Sequence, residues 1–190
     1  IDREVFSRPF LNDFIALGKA KTNAVRNRLS QILDSDFEEW DASELASFFL
    51  FPQSEVEMLM PVQVGDYTDF YSSIEHATNV GTMFRDPQNA LLPNWRHLPV
   101  GYHGRASSIV VSGTPIHRPK GQMLPPGAEQ PVFGPSTRMD FELEVAFVAG
   151  KSSALGHSIG VGDAEDYIFG LVLFNDWSAR DIQQWVYVPL

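Results

Sequence analysis

The chain has 190 residues, 44% of them apolar and 20% charged, with a formal net charge of −10 and no cysteine. These are globular proportions, and the length suffices for one domain with a sizeable core, or one domain and part of another. Such acidity argues against a phosphate-neutralising nucleic-acid surface, and the lack of cysteine excludes disulfide scaffolds and thiolate metal sites, so any bound metal is held by oxygen or imidazole.

Taken in chain order, Ile1-Asp2-Arg3-Glu4 opens polar and leads into no apolar core of a signal peptide. Residues 10–33 read as one amphipathic helix: Phe10, Phe14, Gly18, Val25, Leu29 and Ile32 fall near one face, with Lys19, Lys21, Arg26 and Arg28 mostly away from it. Asp41 or Ser43 is expected to cap a second, short helix through Phe49, which Pro52 ends. From Pro61 onward, short apolar pieces alternate with many glycines and prolines, the style of a β-rich domain. Asp66 to Tyr71 is expected to be a strand end or loop, followed by a helical turn over residues 74–84. Ile109-Val110-Val111 reads as a strand entering a turn at Ser112-Gly113, and Pro115 to Pro135 as a surface connection. Phe141 to Val148 starts with the period of two of a strand, its apolar residues expected to face a core. Ile168 to Phe174 is a continuous apolar run of the kind buried on both faces. The longest apolar run, 167–174, is broken by Gly170 and too short to span a bilayer, so a soluble, intracellular protein is expected. Both ends read as cut from a longer chain.

The most informative local feature is Glu142-Leu143-Glu144. On a strand, residues i and i+2 project from one face, so both carboxylates point the same way. Two like charges side by side call for a proton or a cation, and Mg²⁺ or Ca²⁺ prefers such oxygens. A solvated strand face bearing two glutamates is the competing reading. Asp176 directly follows the apolar run, where either a ligand or a turn residue fits. Asp69 lies in an aromatic segment, and seven residues later His76 offers an imidazole, a candidate general base, with a structural or merely exposed histidine as the competing reading.

Together, residues 65–85 (GDYTDFYSSIEHATNVGTMFR), 91–113 (LLPNWRHLPVGYHGRASSIVVSG), 139–146 (MDFELEVA) and 169–190 (FGLVLFNDWSARDIQQWVYVPL) resemble the fumarylacetoacetase (fumarylacetoacetate hydrolase) family, in the family's order. The resemblance implies a β-rich α+β fold, a C-terminal-type β-roll preceded by a helical segment and incomplete at both ends. Residues 1–60 would be a helical segment leading into the catalytic domain, and 61–190 the N-terminal part of that domain. Asp69, Glu142, Glu144 and Asp176 match the family's carboxylate metal ligands, for Mg²⁺ or Ca²⁺, and His76 matches its water-activating histidine. Tyr71, Arg85, Tyr102, Gln183 and Tyr187 match substrate contacts, and Arg180 and Gln183 stand where the family stabilises an oxyanion. The implied activity is metal-dependent hydrolysis of fumarylacetoacetate, the last step of tyrosine and phenylalanine breakdown, in a cytoplasmic homodimer that binds neither nucleic acid nor membrane. The glutamate that orients the family's histidine and its assisting lysine fall beyond Leu190, so this chain alone is expected to be inactive, and the family's small N-terminal barrel is expected to precede Ile1. Two other readings compete: a related acylpyruvate hydrolase or oxaloacetate decarboxylase, and a non-catalytic Ca²⁺-binding β-domain, which would have no use for His76, Arg85 or Tyr102.

Overall fold

The computed structural model describes residues 1–34, 36 and 47–187. Helices and small two-stranded sheets alternate, the α+β class read from the sequence. The chain divides into two units, residues 1–63 with 143–174, and residues 64–142 with 175–190.

In the first unit the expected single helix is two: α1, Asn12–Ile15, and α2, Lys19–Ile32. The break is Gly18, whose φ of 87° lies in the left-handed region that residues with a Cβ rarely adopt. Phe14 and Ile15 are buried; the Phe14 ring meets Phe6 at 5.2 Å and stands edge-on to Phe169 at 6.3 Å. Asn12 closes a loop by exchanging hydrogen bonds with the Gln63 backbone, 2.9 and 3.0 Å. The proposed caps Asp41 and Ser43 lie outside the described residues, and residues 47–49 are helical.

The remaining strands of this unit are β6, Leu143–Ala149, and β7, Ile168–Asn175, which pair with each other. The alternation expected from Phe141 to Val148 is present, but its phase is inverted with respect to burial. Leu143 and Val145 are 73% and 66% exposed, while Glu144 between them is half-buried. Leu171 and Leu173 of β7 are also exposed, so this strand is not covered on both faces by the described residues. Apolar composition predicted burial; which face is covered depends on which segments pack there, and composition carries no information on that.

In the second unit, β1, Tyr67–Phe70, pairs antiparallel with β2, Gly101–Gly104. Helix α3, Ile74–Phe84, follows β1 and is a full helix rather than a turn; Ser73 caps it by accepting from the His76 backbone N–H at 3.2 Å. Ala77 and Val80 are buried on its inner face. Gly81 is required there, because a Cβ would lie 2.2 Å from the Ala90 carbonyl oxygen. Residues 109–111 form no strand. A 3-10 turn at Ala106–Ser108 precedes them, and the turn at Ser112-Gly113 is present with Gly113 at φ 88°. The Pro115–Pro135 stretch is more than a connection: β3, Lys120–Met123, and β4, Val132–Pro135, form an antiparallel hairpin. Proline and glycine suggested a loop, but Pro119 and Pro135 sit at the hairpin's ends, Pro125, Pro126 and Gly127 in its connection, and Gly121 and Gly134 pair with each other inside the strands. A short pair, β5, Met139–Asp140, with β8, Ser178–Ala179, leads into α4, Arg180–Val186. The hairpin buttresses α4: Gly121 leaves room for Ile182, and the Trp185 indole donates to Gln122 Oε1 at 3.1 Å.

Candidate active site

Asp69 lies on β1, 7% exposed, and its partner across the pair is Tyr102 on β2. Opposed residues of an antiparallel pair project from the same face, so the Tyr102 hydroxyl reaches Asp69 and donates to Oδ2 at 2.5 Å. Burial, this hydrogen bond and the charges of Asp69, Asp176 and Glu142 together push the Tyr102 phenol far above its ordinary value, which keeps it a donor.

A second rung joins Glu142 and Asp176: the Glu142 N–H donates to the Asp176 carbonyl at 3.2 Å, and the Asp176 N–H to the Glu142 carbonyl at 3.0 Å. Two residues along, Asp140 is paired with Ser178. The four side chains therefore share a face, and Ser178 Oγ donates to Glu142 Oε1 at 3.2 Å.

Arg180, the first residue of α4, is 9% exposed. Its Nε binds Asp140 at 3.0 Å, Nη2 binds Glu142 at 2.6 Å, and Nη1 donates to Gln183 Oε1 at 3.0 Å. Burial opposes its charge, but the hydrogen bonds to Asp140 and Glu142 outweigh burial and hold its pKa above the ordinary value. The Arg180 hydrogen bond in turn holds the Asp140 carboxyl below its usual range. His76, in the first turn of α3, has Nε2 3.5 Å from Glu142 Oε2 and stands edge-on to the Tyr71 ring at 5.6 Å. Burial raises the Asp176 carboxyl, the Glu142 and Asp69 charges raise it further, and Arg180 and Arg105 oppose them.

Within the second unit, Asp69, Glu142 and Asp176 lie near enough for their charges to act on one another. This oxygen-only donor set suits a hard divalent cation. Arg180 and Ser178 occupy one Glu142 oxygen and His76 faces the other.

The other residues singled out in the sequence fall into two places. Tyr71 and Arg85 line a largely apolar pocket with Leu92, Trp95 and Val100. There the Tyr71 hydroxyl donates to the Ala77 carbonyl at 2.9 Å, and Arg85 donates through Nε and Nη2 to the Ala90 carbonyl at 3.2 and 2.6 Å. Tyr187 stacks on Phe84, the neighbour of Arg85, at 4.9 Å, whereas Gln183 is held by Arg180. Sequence reasoning missed Asp140 and Ser178. Asp140 was within reach, because Asp140, Glu142 and Glu144 continue one i, i+2 series. Ser178 carries no signal until the pairing is known.

Two family models match the chain: "Fumarylacetoacetate (FAA) hydrolase C-terminal" over residues 67–190, and "Fumarylacetoacetase N-terminal" over residues 1–61. Among similar curated proteins, fumarylacetoacetase of Rattus norvegicus is 54% identical over 189 residues, 99% of this chain and 45% of that protein. The Caenorhabditis elegans fumarylacetoacetase is 57% identical over 190 residues, 99% of this chain and 46% of that protein. The Arabidopsis thaliana fumarylacetoacetase is 52% identical over 192 residues, 100% and 45%. The chain thus spans less than half the length of these curated relatives.

Proposed function

The chain belongs to the fumarylacetoacetate hydrolase family, and from that premise we propose that the complete protein hydrolyses the carbon–carbon bond of 4-fumarylacetoacetate to give fumarate and acetoacetate. We further propose Asp69, Glu142, Glu144 and Asp176 as the acidic set for Mg²⁺ or Ca²⁺. The observation that carries this reading is the grouping of the Asp69, Glu142 and Asp176 carboxylates in the second unit, with a buried cation, Arg180, and an imidazole, His76, on Glu142.

A bound divalent ion would supply Lewis-acid polarisation of the substrate carbonyl. His76 takes a proton from water, and the hydroxyl oxygen bonds to that carbonyl carbon. Glu142, facing Nε2, favours the imidazolium that results. Arg180 and Gln183 donate hydrogen bonds to the developing oxyanion. The carbon–carbon bond then breaks with its electron pair leaving on the acetoacetate carbon, which takes up a proton, while the former carbonyl carbon becomes the new carboxylate of fumarate. Arg85 and Tyr71 hold the substrate's far end from the pocket they line, with Tyr102 and Tyr187 as further contacts.

Residues 61–190 are the N-terminal part of the catalytic domain in this reading, and 1–60 lead into it. The complete protein acts as a cytoplasmic homodimer at the end of tyrosine and phenylalanine breakdown. No described helix is long and apolar enough to cross a membrane. The test is direct: the complete protein with Mg²⁺ is assayed for loss of the β-diketone absorbance of fumarylacetoacetate, beside an acylpyruvate and oxaloacetate. Turnover of fumarylacetoacetate supports the proposal. Turnover of another substrate alone, or metal binding without turnover, replaces it with one of the competing readings.

A further inference from the structure

Asp181 directly follows Arg180, yet its carboxylate points to other partners. Oδ1 accepts from Ser136 Oγ at 2.6 Å and from the Ile182 N–H at 2.9 Å. Oδ2 accepts from the Thr137 N–H at 2.7 Å and from Thr137 Oγ1 at 2.9 Å. Ser136 is 2% exposed, and its Oγ also accepts from the Arg138 N–H at 3.3 Å. One residue before Asp181, the Arg180 N–H donates to the Arg138 carbonyl at 2.9 Å. The start of α4 is therefore tied to segment 136–138 twice, by a backbone bond at Arg180 and by a carboxylate at Asp181.

Arg180 has demanding geometry, since its one guanidinium fork serves Asp140, Glu142 and Gln183 at once. A planar fork meets three acceptors only if its own Cα is held in place. We propose that Asp181 is a positioning residue: by clasping Ser136 and Thr137 it fixes the first turn of α4, so that the Arg180 guanidinium reaches Glu142. Two carboxylate oxygens facing four donors explain why an acid is needed. An asparagine would turn an NH₂ group against donors on one side.

The proposal rests on the proposed function only for its kinetic arm, and the experiment separates the two. In the complete, Mg²⁺-loaded protein, Asp181→Asn and Ser136→Ala are compared with wild type by NMR exchange of the Arg180 Nε–H and by steady-state kinetics. The NMR arm needs no substrate. Expected are faster Nε–H exchange in both variants, more so in Asp181→Asn, and a kcat lowered by about 10–100-fold with KM changed far less. Should Asp181→Asn fail to fold, Ser136→Ala decides by the same two readouts. Unchanged Nε–H exchange with unchanged kcat, whatever the melting temperature does, overturns the proposal. Failure of the proposed function would show instead as no turnover in wild type.

Discussion

The Arg180 guanidinium lies 2.6 Å from the Glu142 carboxylate, with the two side chains only 10% and 12% exposed. A buried ion pair gives little net stability, but removing one partner strands the other charge away from water. Here the stranded charge would be Glu142, beside Asp176 and Asp69, whose own charges already disfavour further negative charge. Replacing Arg180 by Met, similar in volume and uncharged, is therefore expected to destabilise the metal-free protein by about 3–5 kcal/mol. Added Mg²⁺ should recover part of the loss. Urea unfolding with and without Mg²⁺ checks both statements.

His76 is the group whose removal should affect chemistry most and metal binding least. In the complete enzyme, His76→Gln is expected to lower kcat by at least ~10²-fold while Mg²⁺ affinity changes little. Steady-state kinetics beside calorimetric metal titration tests this, and near-full turnover in the variant would assign water activation elsewhere.

By the family resemblance Arg85 is a substrate contact. The structure adds a second role, since Nε and Nη2 both donate to the Ala90 carbonyl. Lysine can keep one of these bonds and loses the fork. Arg85→Lys is now expected to raise KM for fumarylacetoacetate and also to cost about 0.5–1.5 kcal/mol of stability. Unchanged kinetics with lowered stability would leave Arg85 a purely structural residue.

Asp181 predicts a pH dependence. Burial alone would raise its carboxyl, but hydrogen bonds from Ser136, Thr137 and Ile182 outweigh burial and hold it at about 2, below the ordinary 3.8. A depressed acid contributes stability above its unfolded value and loses it as pH falls through the folded one. The stability gap between wild type and Asp181→Asn should therefore be full at pH values above 3.8 and shrink as pH falls to about 2. Urea midpoints measured across that range check it, and a gap that stays constant would contradict it.

Strand periodicity alone puts Glu142 and Glu144 on one face, whereas the roles given to Asp69, Asp176 and His76 come from the family resemblance and not from any local pattern. The helix break at Gly18 was not legible in the sequence, since a glycine on a helix face is tolerated until its φ is known. The hairpin of Lys120–Met123 and Val132–Pro135 was hidden because glycine is depleted in strands, and Gly121 and Gly134 pair inside this one. Burial of β6 and β7 was misjudged for a different reason. Period two fixes which residues share a face, but only the packing partner decides which face is covered, so Leu143 and Val145 read as core and are exposed. The counter-ion of Glu142 was also beyond local reading, because Arg180 lies 38 residues away and meets it only through the β5–β8 pairing.

The most direct test of the central claim is metal-dependent turnover in the complete protein, wild type against Asp176→Asn. Both are stripped with EDTA, and Mg²⁺ or Ca²⁺ is added back while fumarylacetoacetate hydrolysis is followed. The account predicts no activity in the stripped wild type, recovery with added ion, and about a 10–100-fold higher ion requirement in Asp176→Asn. Full hydrolysis by the stripped wild type, or the same ion requirement in both proteins, would contradict it.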